Sequence, residues 1–208
     1  DNYGYAKAYN KAFRLIGYQE DSFYMILNND TIVDQNIISE FLNEQNKFDT
    51  TEYIFGAKIY YMDNKELIWY SGGEINLAYG IIRHIGIREK DQCNISSSIS
   101  TDYITGCCIF THNSNIKKLN GFDELFNMYC EDVDFCMRAY KLGYNSIYVH
   151  NCLVWHHVSA SINHSNKILS QTSSIWKLIE KHLEDHSRYL ALIKYLFSSI
   201  RKTILNLL

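Results

Sequence analysis

Phe23-Tyr24-Met25-Ile26-Leu27 is an unbroken apolar run that stops abruptly at Asn28-Asn29-Asp30-Thr31. A run this short, with no polar member, reads as a strand buried on both faces, and such a strand expects neighbours. Polar residues just past the carboxyl end of a buried strand lie where an open α/β sheet collects its ligands. Asp30 could hold a hard cation that bridges phosphates. It could equally be a turn residue capping the next helix. Tyr53 to Tyr61 and Ile104 to Phe110 are further strand candidates, the second carrying Gly106-Cys107-Cys108. Glycine inside a strand marks close approach by a ligand or another backbone. Between these runs the apolar spacing changes to that of helices. Tyr5 to Ile16 places Ala8, Ala12, Phe13 and Ile16 on one face, and Gln35 to Asn46 does so with Ile37, Ile38, Phe41 and Leu42. Asn113 to Leu119 is a short helix with Asn113 as its cap. Leu67 to Ser71 and Glu74 to Leu77 read as short strands around Gly72-Gly73. Tyr79 to Cys93 reads as a loop able to cover a site, and Asn94 to Ser100 as a serine-rich loop. Alternating strands and helices predict an α/β fold with some parallel pairing.

The stretch from Gly121 to His157 carries the densest set of chemistry-bearing residues. Val133, Cys136, Met137 and Tyr140 recur at helical spacing, and Gly143 supplies a stop. Asp132 then falls at or next to the N-cap, where free N–H groups and the helix dipole favour a negative charge. A carboxylate kept ionised and aimed off the helix body has what a general base needs. The alternative for Glu131-Asp132 is a plain helix cap with an acidic neighbour. Tyr144 to Val149 and Leu153 to Trp155 read as strands leading into His156-His157. His156, at a strand terminus, could ligate a metal, with His157 behind it or on the surface. A satisfied core or surface histidine is the ordinary alternative.

Composition narrows the classes. The chain has 208 residues, 47% hydrophobic and 21% charged, which suits one soluble globular domain with a sizeable core. A net charge of -3 gives no reason to expect a nucleic-acid partner. The six cysteines form no C-x-x-C pair and several lie in apolar runs, which points to a reducing compartment, the cytosol being the simplest. Proline is absent, and no apolar run is long enough to span a bilayer. Ser173 to His186 and Ser187 to Leu208 are helix-compatible. Beyond Asp185 there are no acids, while Arg188, Lys194, Arg201 and Lys202 interleave with leucines and isoleucines at threes and fours. Such a basic amphipathic helix can lie on an anionic membrane or pack on its own domain or a partner.

Taken together, these segments resemble the family 2 glycosyltransferases with the GT-A fold, in particular the rhamnosyltransferase-like enzymes of bacterial surface polysaccharide synthesis. The matching pieces are Asn2-Tyr3-Gly4-Tyr5 with Asn10, Leu27-Asn28-Asn29-Asp30-Thr31, Gly56 to Tyr60, Ile68 to Gly73, Thr105-Gly106-Cys107, Gly121-Phe122-Asp123-Glu124, Glu131-Asp132-Val133-Asp134 and Val154-Trp155-His156. The resemblance covers residues 2 to about 165. It implies a mixed, mostly parallel sheet flanked by helices over 1–165, and a helical tail over 166–208. It makes Asp132 the catalytic base with Glu131 beside it. Asn28, Asn29, Asp30 and Gly106 would be donor-binding, the Thr105-Gly106 region also bordering the acceptor side. Asp30 and His156 would hold a divalent ion, Mg2+ or Mn2+.

The implied reaction is inverting transfer from a nucleotide-diphosphate sugar to a saccharide or lipid-linked saccharide acceptor, in the cytoplasm or at the inner face of the plasma membrane; residues 187–208, by their basic amphipathic pattern, would be the membrane contact. The family's Asp-x-Asp stands here as Asn28-Asn29-Asp30, keeping one carboxylate. Family members begin with a strand, helix and strand that hold the nucleotide base and would precede Asp1. The resemblance therefore also implies a longer enzyme whose present part is prone to self-association. Two rivals remain: a non-catalytic carbohydrate-binding or scaffold subunit derived from a glycosyltransferase, and a carboxylate-pair hydrolase. Against the second, adjacent carboxylates rarely flank a glycosidic bond from opposite sides.

Overall fold

Two long strands run side by side through the centre of the molecule. β3 (Tyr53–Tyr61) and β9 (Asn145–His156) pair in parallel from Tyr53↔Asn145 to Tyr61↔His156. The register jumps between Ala57↔Val149 and Lys58↔Leu153, so 150–152 bulge out of the ladder. That bulge explains why the sequence reads as two strands where the fold has one. The computed structural model describes residues 3–92, 97–158 and 164–205. Its first helix is α1 (Tyr5–Ile16), followed by β1 (Phe23–Leu27), β2 (Thr31–Val33) and α2 (Ile37–Gln45). After β3 come β4 (Ile68–Tyr70), β5 (Gly73–Asn76), a 3-10 turn at Leu77–Tyr79, β6 (Ile81–His84), β7 (Ile99–Thr101) and β8 (Cys108–His112). Then follow α3 (Asn113–Leu119), α4 (Glu131–Lys141), β9, α5 (His164–His182) and α6 (Asp185–Leu205).

The sheet order is β1-β8-β3-β9-β2, with β4 added to β3 and β7 to β9. β8 is antiparallel to both β1 and β3. Hence β1, β3 and β9 all point the same way, with β8 reversed between the first two. The class is α/β with a mixed sheet, as expected. With β8 inserted between β1 and β3, β3–β9 is the one parallel ladder among the described residues. β1 is an end strand, so Ile26 alone is fully buried and its neighbours are half-covered. β5, on the short strand expected at Glu74 to Leu77, forms a separate hairpin with β6, which lies in the region expected as loop. Cys93 and residues 94–96 lie outside the described residues, while β7 replaces the end of the serine-rich loop.

The helices form where the spacing places them, but several present a different face. α1 buries Ala6, Asn10 and Phe13, whereas Ile16 is exposed. The reason is Asn10, whose side chain donates to the Phe122 carbonyl at 2.7 Å and accepts from the Phe122 N–H at 2.9 Å. α2 buries Ile37 and Phe41 and exposes Ile38. α4 buries Val133, Phe135, Cys136 and Ala139 and leaves Tyr140 exposed. α3 is capped by the His112 ring, which accepts from the Ser114 N–H, and not by Asn113. The five described cysteines, Cys107, Cys108, Cys130, Cys136 and Cys152, are buried thiols that pack as small apolar groups.

Asp134, wholly buried, ties α5 to this core. It accepts from Arg138 one turn on, and pairs with Lys181 and His182 of α5 at 2.6 and 2.7 Å. Arg138 also donates to the Leu119 and Gly121 carbonyls. Burial pushes the Asp134 carboxyl up, but hydrogen bonds from His182 and Lys181 and the Arg138 charge outweigh it and hold it at about 2. α5 is therefore part of the core's polar framework, and it begins at His164, just ahead of the boundary expected at 166. Asp134→Ala would leave three cationic or donor groups without their partner and should cost about 3 kcal/mol. Arg83→Ala, which breaks the exposed Arg83–Glu74 pair, should cost under about 1 kcal/mol. Chemical denaturation of both variants checks the contrast; equal losses would refute the buried network as the tie.

Candidate active site

The segment Asn28 to Asp30 leaves β1 at one end of the sheet and enters β2 at the other, passing from the carboxyl end of β1, beside the amino end of β8, to the carboxyl end of β9. Backbone hydrogen bonds fix it at both ends. The Asn28 N–H donates to the Cys107 carbonyl at 3.1 Å, and the His157 N–H donates to the Asp30 carbonyl at 2.9 Å. The Thr31 hydroxyl closes the turn on the Asn28 carbonyl at 2.6 Å. β2 then pairs with β9 so that Thr31 faces His156. This crossing places the half-exposed Asp30 carboxylate, through Oδ1, 3.1 Å from Nε2 of the largely buried His156. Burial lowers the His156 pKa, against the pull of Asp30, so the ring is neutral near pH 7 and retains a lone pair for a metal. Its other nitrogen, Nδ1, is buried without a protein partner. Asn28 is half-buried and Asn29 exposed.

The second half of the site comes from α4. Two consecutive left-handed residues precede it, Tyr129 (φ 70°) and Cys130 (φ 67°). Neither is glycine, so each costs about 1–2 kcal/mol, a strain held by the surrounding packing. They turn the chain so that Glu131 and Asp132 open the helix, with Cys130 at the N-cap. Asp132 accepts the Gly106 N–H on Oδ2 at 2.7 Å and the Val133 N–H on Oδ1 at 2.8 Å. Gly106 in turn presents its carbonyl to the Tyr5 hydroxyl at 2.5 Å. A Cβ on Gly106 would come within 2.8 Å of that hydroxyl and 3.5 Å of the Asp132 Cβ, so only glycine fits between them. Tyr9 caps the Leu27 carbonyl at 2.7 Å, so α1 braces both lips of the site.

Burial pushes the Asp132 carboxyl up and the two N–H bonds pull it down, leaving it raised. Glu131 is 7% exposed, and one of its oxygens has no partner. Burial, and then the adjacent Asp132 charge, push it up to about 8. The pair therefore shares a proton near neutral pH, and the half-buried Asp132 is the more accessible carboxylate. The two halves meet at Cys107, whose thiol is pushed up by burial and Cys108, and also by the nearby charges of Asp30 and Asp132. Thus Asp30, His156, Gly106, Glu131 and Asp132 all gather at one sheet edge. Gly106 is there as the backbone anchor of Asp132.

The sequence reading missed Trp69 and His84. The Trp69 ring stands edge-on to His156, with ring centres 4.7 Å apart, and to His84 at 4.4 Å. Burial lowers the His84 pKa to about 4, so His84 is a neutral packing ring whose Nδ1 lies 3.1 Å from the Trp69 carbonyl. Trp69 was legible only as part of a matching motif, because its contact to His156 depends on β4 joining β3. Among the described residues no cluster of three or more His, Cys, Asp or Glu side chains could hold a metal, so Asp30 and His156 are a two-donor set. Two surface depressions, of about 380 and 350 Å³, lie along α1 and residues 119–127 and are lined by none of these residues.

A strand edge carrying an acidic turn, a terminal histidine and a helix-opening carboxylate pair is the layout of a GT-A glycosyltransferase. The family model for glycosyl transferase family group 2 matches residues 24–204, and the chain belongs to that family. It is 25% identical over 177 residues to rhamnosyltransferase WbbL of Escherichia coli K12, covering 83% of this chain and 62% of that protein. Over 59 residues it is 39% identical to N-acetylglucosaminyl-diphospho-decaprenol L-rhamnosyltransferase of Mycobacterium tuberculosis, covering 28% of this chain and 19% of that one. The chain thus spans less than two thirds of these relatives' length. Among solved structures, GalNAc-T7 with UDP, GalNAc and Mn2+ superposes with a TM-score of 0.58 at 12% identity, over 74% of this chain and 30% of that one, which speaks for the fold.

The raised carboxyl pair has a measurable consequence. Folding favours its protonated form, so its stabilising contribution is full below the ordinary carboxylate range and is lost as pH climbs through about 8. Between about pH 7 and 9 Tm should therefore fall. Glu131→Gln should flatten that decline and raise Tm at the alkaline end. Thermal melts across this range check it; a variant that keeps the parent's slope contradicts the assignment.

Proposed function

We propose that the chain acts as an inverting glycosyltransferase, moving a sugar from a nucleotide-diphosphate sugar to an acceptor hydroxyl in the synthesis of a bacterial surface polysaccharide. The observation that carries this reading is that Asn28, at the head of the crossing that sets Asp30 beside His156, is hydrogen-bonded to Cys107, next to the Gly106 N–H that holds Asp132 beside Glu131. Asp132 takes the proton from the acceptor hydroxyl as that oxygen attacks the anomeric carbon, and the bond from that carbon to the diphosphate breaks. The backbone N–H groups of Gly106 and Val133 fix the carboxylate and favour its charged form. Glu131, largely buried beside it, keeps the proton of the pair when Asp132 is free to accept. Tyr5, through Gly106, holds the strand lip against which the substrates would lie.

A divalent ion, Mg2+ or Mn2+, fits the donor set: a carboxylate and a neutral imidazole 3.1 Å apart, close enough to share one cation. Asp30 and His156 would hold it, with remaining positions left to donor oxygens and water. Bound there, it would offset the negative charge of the diphosphate. Asn28 and Asn29, on the same crossing segment, would border the donor. The Mn2+ and UDP named for the solved relative and the rhamnosyltransferase names of the curated ones support this donor class. The diphospho-decaprenol in one of those names supports a lipid-linked saccharide acceptor. The free thiols among the described residues suit a reducing, cytoplasmic setting.

In a screen of nucleotide-sugars with Mn2+ or Mg2+, Asp132→Asn should lower transfer by on the order of a hundred-fold or more while leaving donor affinity nearly intact. An equal loss of affinity would make Asp132 a structural or ligand residue. Asp30→Ala and His156→Ala should each weaken donor binding only when metal is present. Calorimetry giving the same parent affinity with and without metal would remove both from the metal assignment.

A further inference from the structure

α6 is anchored by one face and bare on the other. Ala191, Leu192 and Tyr195 are buried, and the Tyr195 ring lies so close to Gly80 that a Cβ there would meet it at 2.5 Å. At 100° per residue, the direction opposite that face belongs to Tyr189, Leu190, Ile193, Leu196 and Phe197. All five are exposed, Phe197 at 70% and Tyr189 at 66%. A stripe of large apolar side chains on a helix already docked through its other side has no structural use in water. The stripe continues onto the β5–β6 hairpin through Tyr79 and Ile81, which are 53% and 41% exposed. The Lys194 ammonium sits 4.2 Å above the Tyr79 ring, at the seam between the two.

Charge tells what this surface faces. From His186 to the end, the sequence carries Arg188, Lys194, Arg201 and Lys202 and no acid. Lysine is depleted in the cores of protein interfaces. Apolar rings and branched chains beside the Lys194 ammonium, in a stretch without acids, suit the boundary between acyl chains and anionic headgroups. No described helix is long and apolar enough to cross a membrane, so the contact is with its surface. The hairpin links this surface to the site: its far end carries Ile81 and its near end His84, whose ring packs on Trp69 beside His156. Three residue steps of strand separate the two ends by roughly 10 Å.

We propose that the outer face of α6, with Tyr79 and Ile81, docks the chain on an anionic lipid bilayer, and that the site beside it takes its acceptor from that surface. The second half rests on the transferase reading; the first does not. The test is co-sedimentation of the 208-residue chain with vesicles of phosphatidylcholine alone or mixed with phosphatidylglycerol, without donor or metal. Partition onto the mixed vesicles should exceed that onto neutral ones by about tenfold, and raised salt should narrow the gap. Lys194→Glu should lower it about fivefold or more. The double variant Ile193→Asp with Phe197→Asp should lower it at least as far with Tm unchanged, since both side chains are already in water. Absence of vesicle binding, equal binding to both compositions, or binding unaffected by these variants would overturn the proposal. So would light scattering that shows a dimer abolished by the double variant with no lipid partition. Transfer to a soluble saccharide without lipid binding would overturn the docking surface and leave the enzyme reading intact. Lipid binding without any transfer would do the reverse.

Discussion

One backbone hydrogen bond holds the site together, that from the Gly106 N–H to the Asp132 carboxylate. Through it the opening of α4 is joined to the lip of β8, and through the Gly106 carbonyl and Tyr5 the same lip is joined to α1. The strain at Tyr129 and Cys130 makes sense in that setting. A relaxed entry into α4 would aim its first residues elsewhere, and the bond to Gly106 helps hold the strained one. Two carboxyls side by side in a buried place would ordinarily be costly. Here the cost is limited because Asp132 is met by two N–H donors and Glu131 can keep a proton. The unpaired Glu131 oxygen is the residue of unfavourable energy that a built site retains.

The other side of the site follows from topology. Because β1 and β2 occupy opposite ends of the sheet path, the residues joining them must pass over the strand ends between, and Asp30 is delivered to β9 as a result. A carboxylate on an ordinary loop would not be set beside His156 with such economy of chain. Behind them, Trp69 and His84 form a neutral aromatic backing that limits how the His156 ring can turn. Asp134, two residues past the proposed base, performs a different task from its neighbour. It faces Arg138, Lys181 and His182 and fastens α5 to the same short helix.

The sequence made the local elements and the motif-borne site residues legible, because helical spacing, strand runs and the Glu131-Asp132 and Trp155-His156 signals are local patterns. α1 was read with the boundaries it has. What could not be read depends on long-range register. The buried face of α1 turns on Asn10 meeting Phe122, more than a hundred positions away, so polarity alone misplaced it. β2 is three residues long and exists only because β9 is there to pair with it. β1 looked like a central strand because every member is apolar, yet its place at the end of the sheet leaves it half-covered. Neither the Asp134 network nor the role of Trp69 has a local sequence signature; each is assembled by elements brought together late in the chain.

The central claim is that the Asn28–Asp30 crossing, Gly106 and the end of β9 surround the place where a metal-bound diphosphate lies. Paramagnetic broadening of backbone amide signals by Mn2+, with a nucleoside diphosphate present, tests it directly. The account predicts that broadening centres on Asn29, Asp30, Gly106 and His157 and is lost in Asp30→Ala. Broadening centred on the depression along α1, near Arg14 and Asn120, would contradict it.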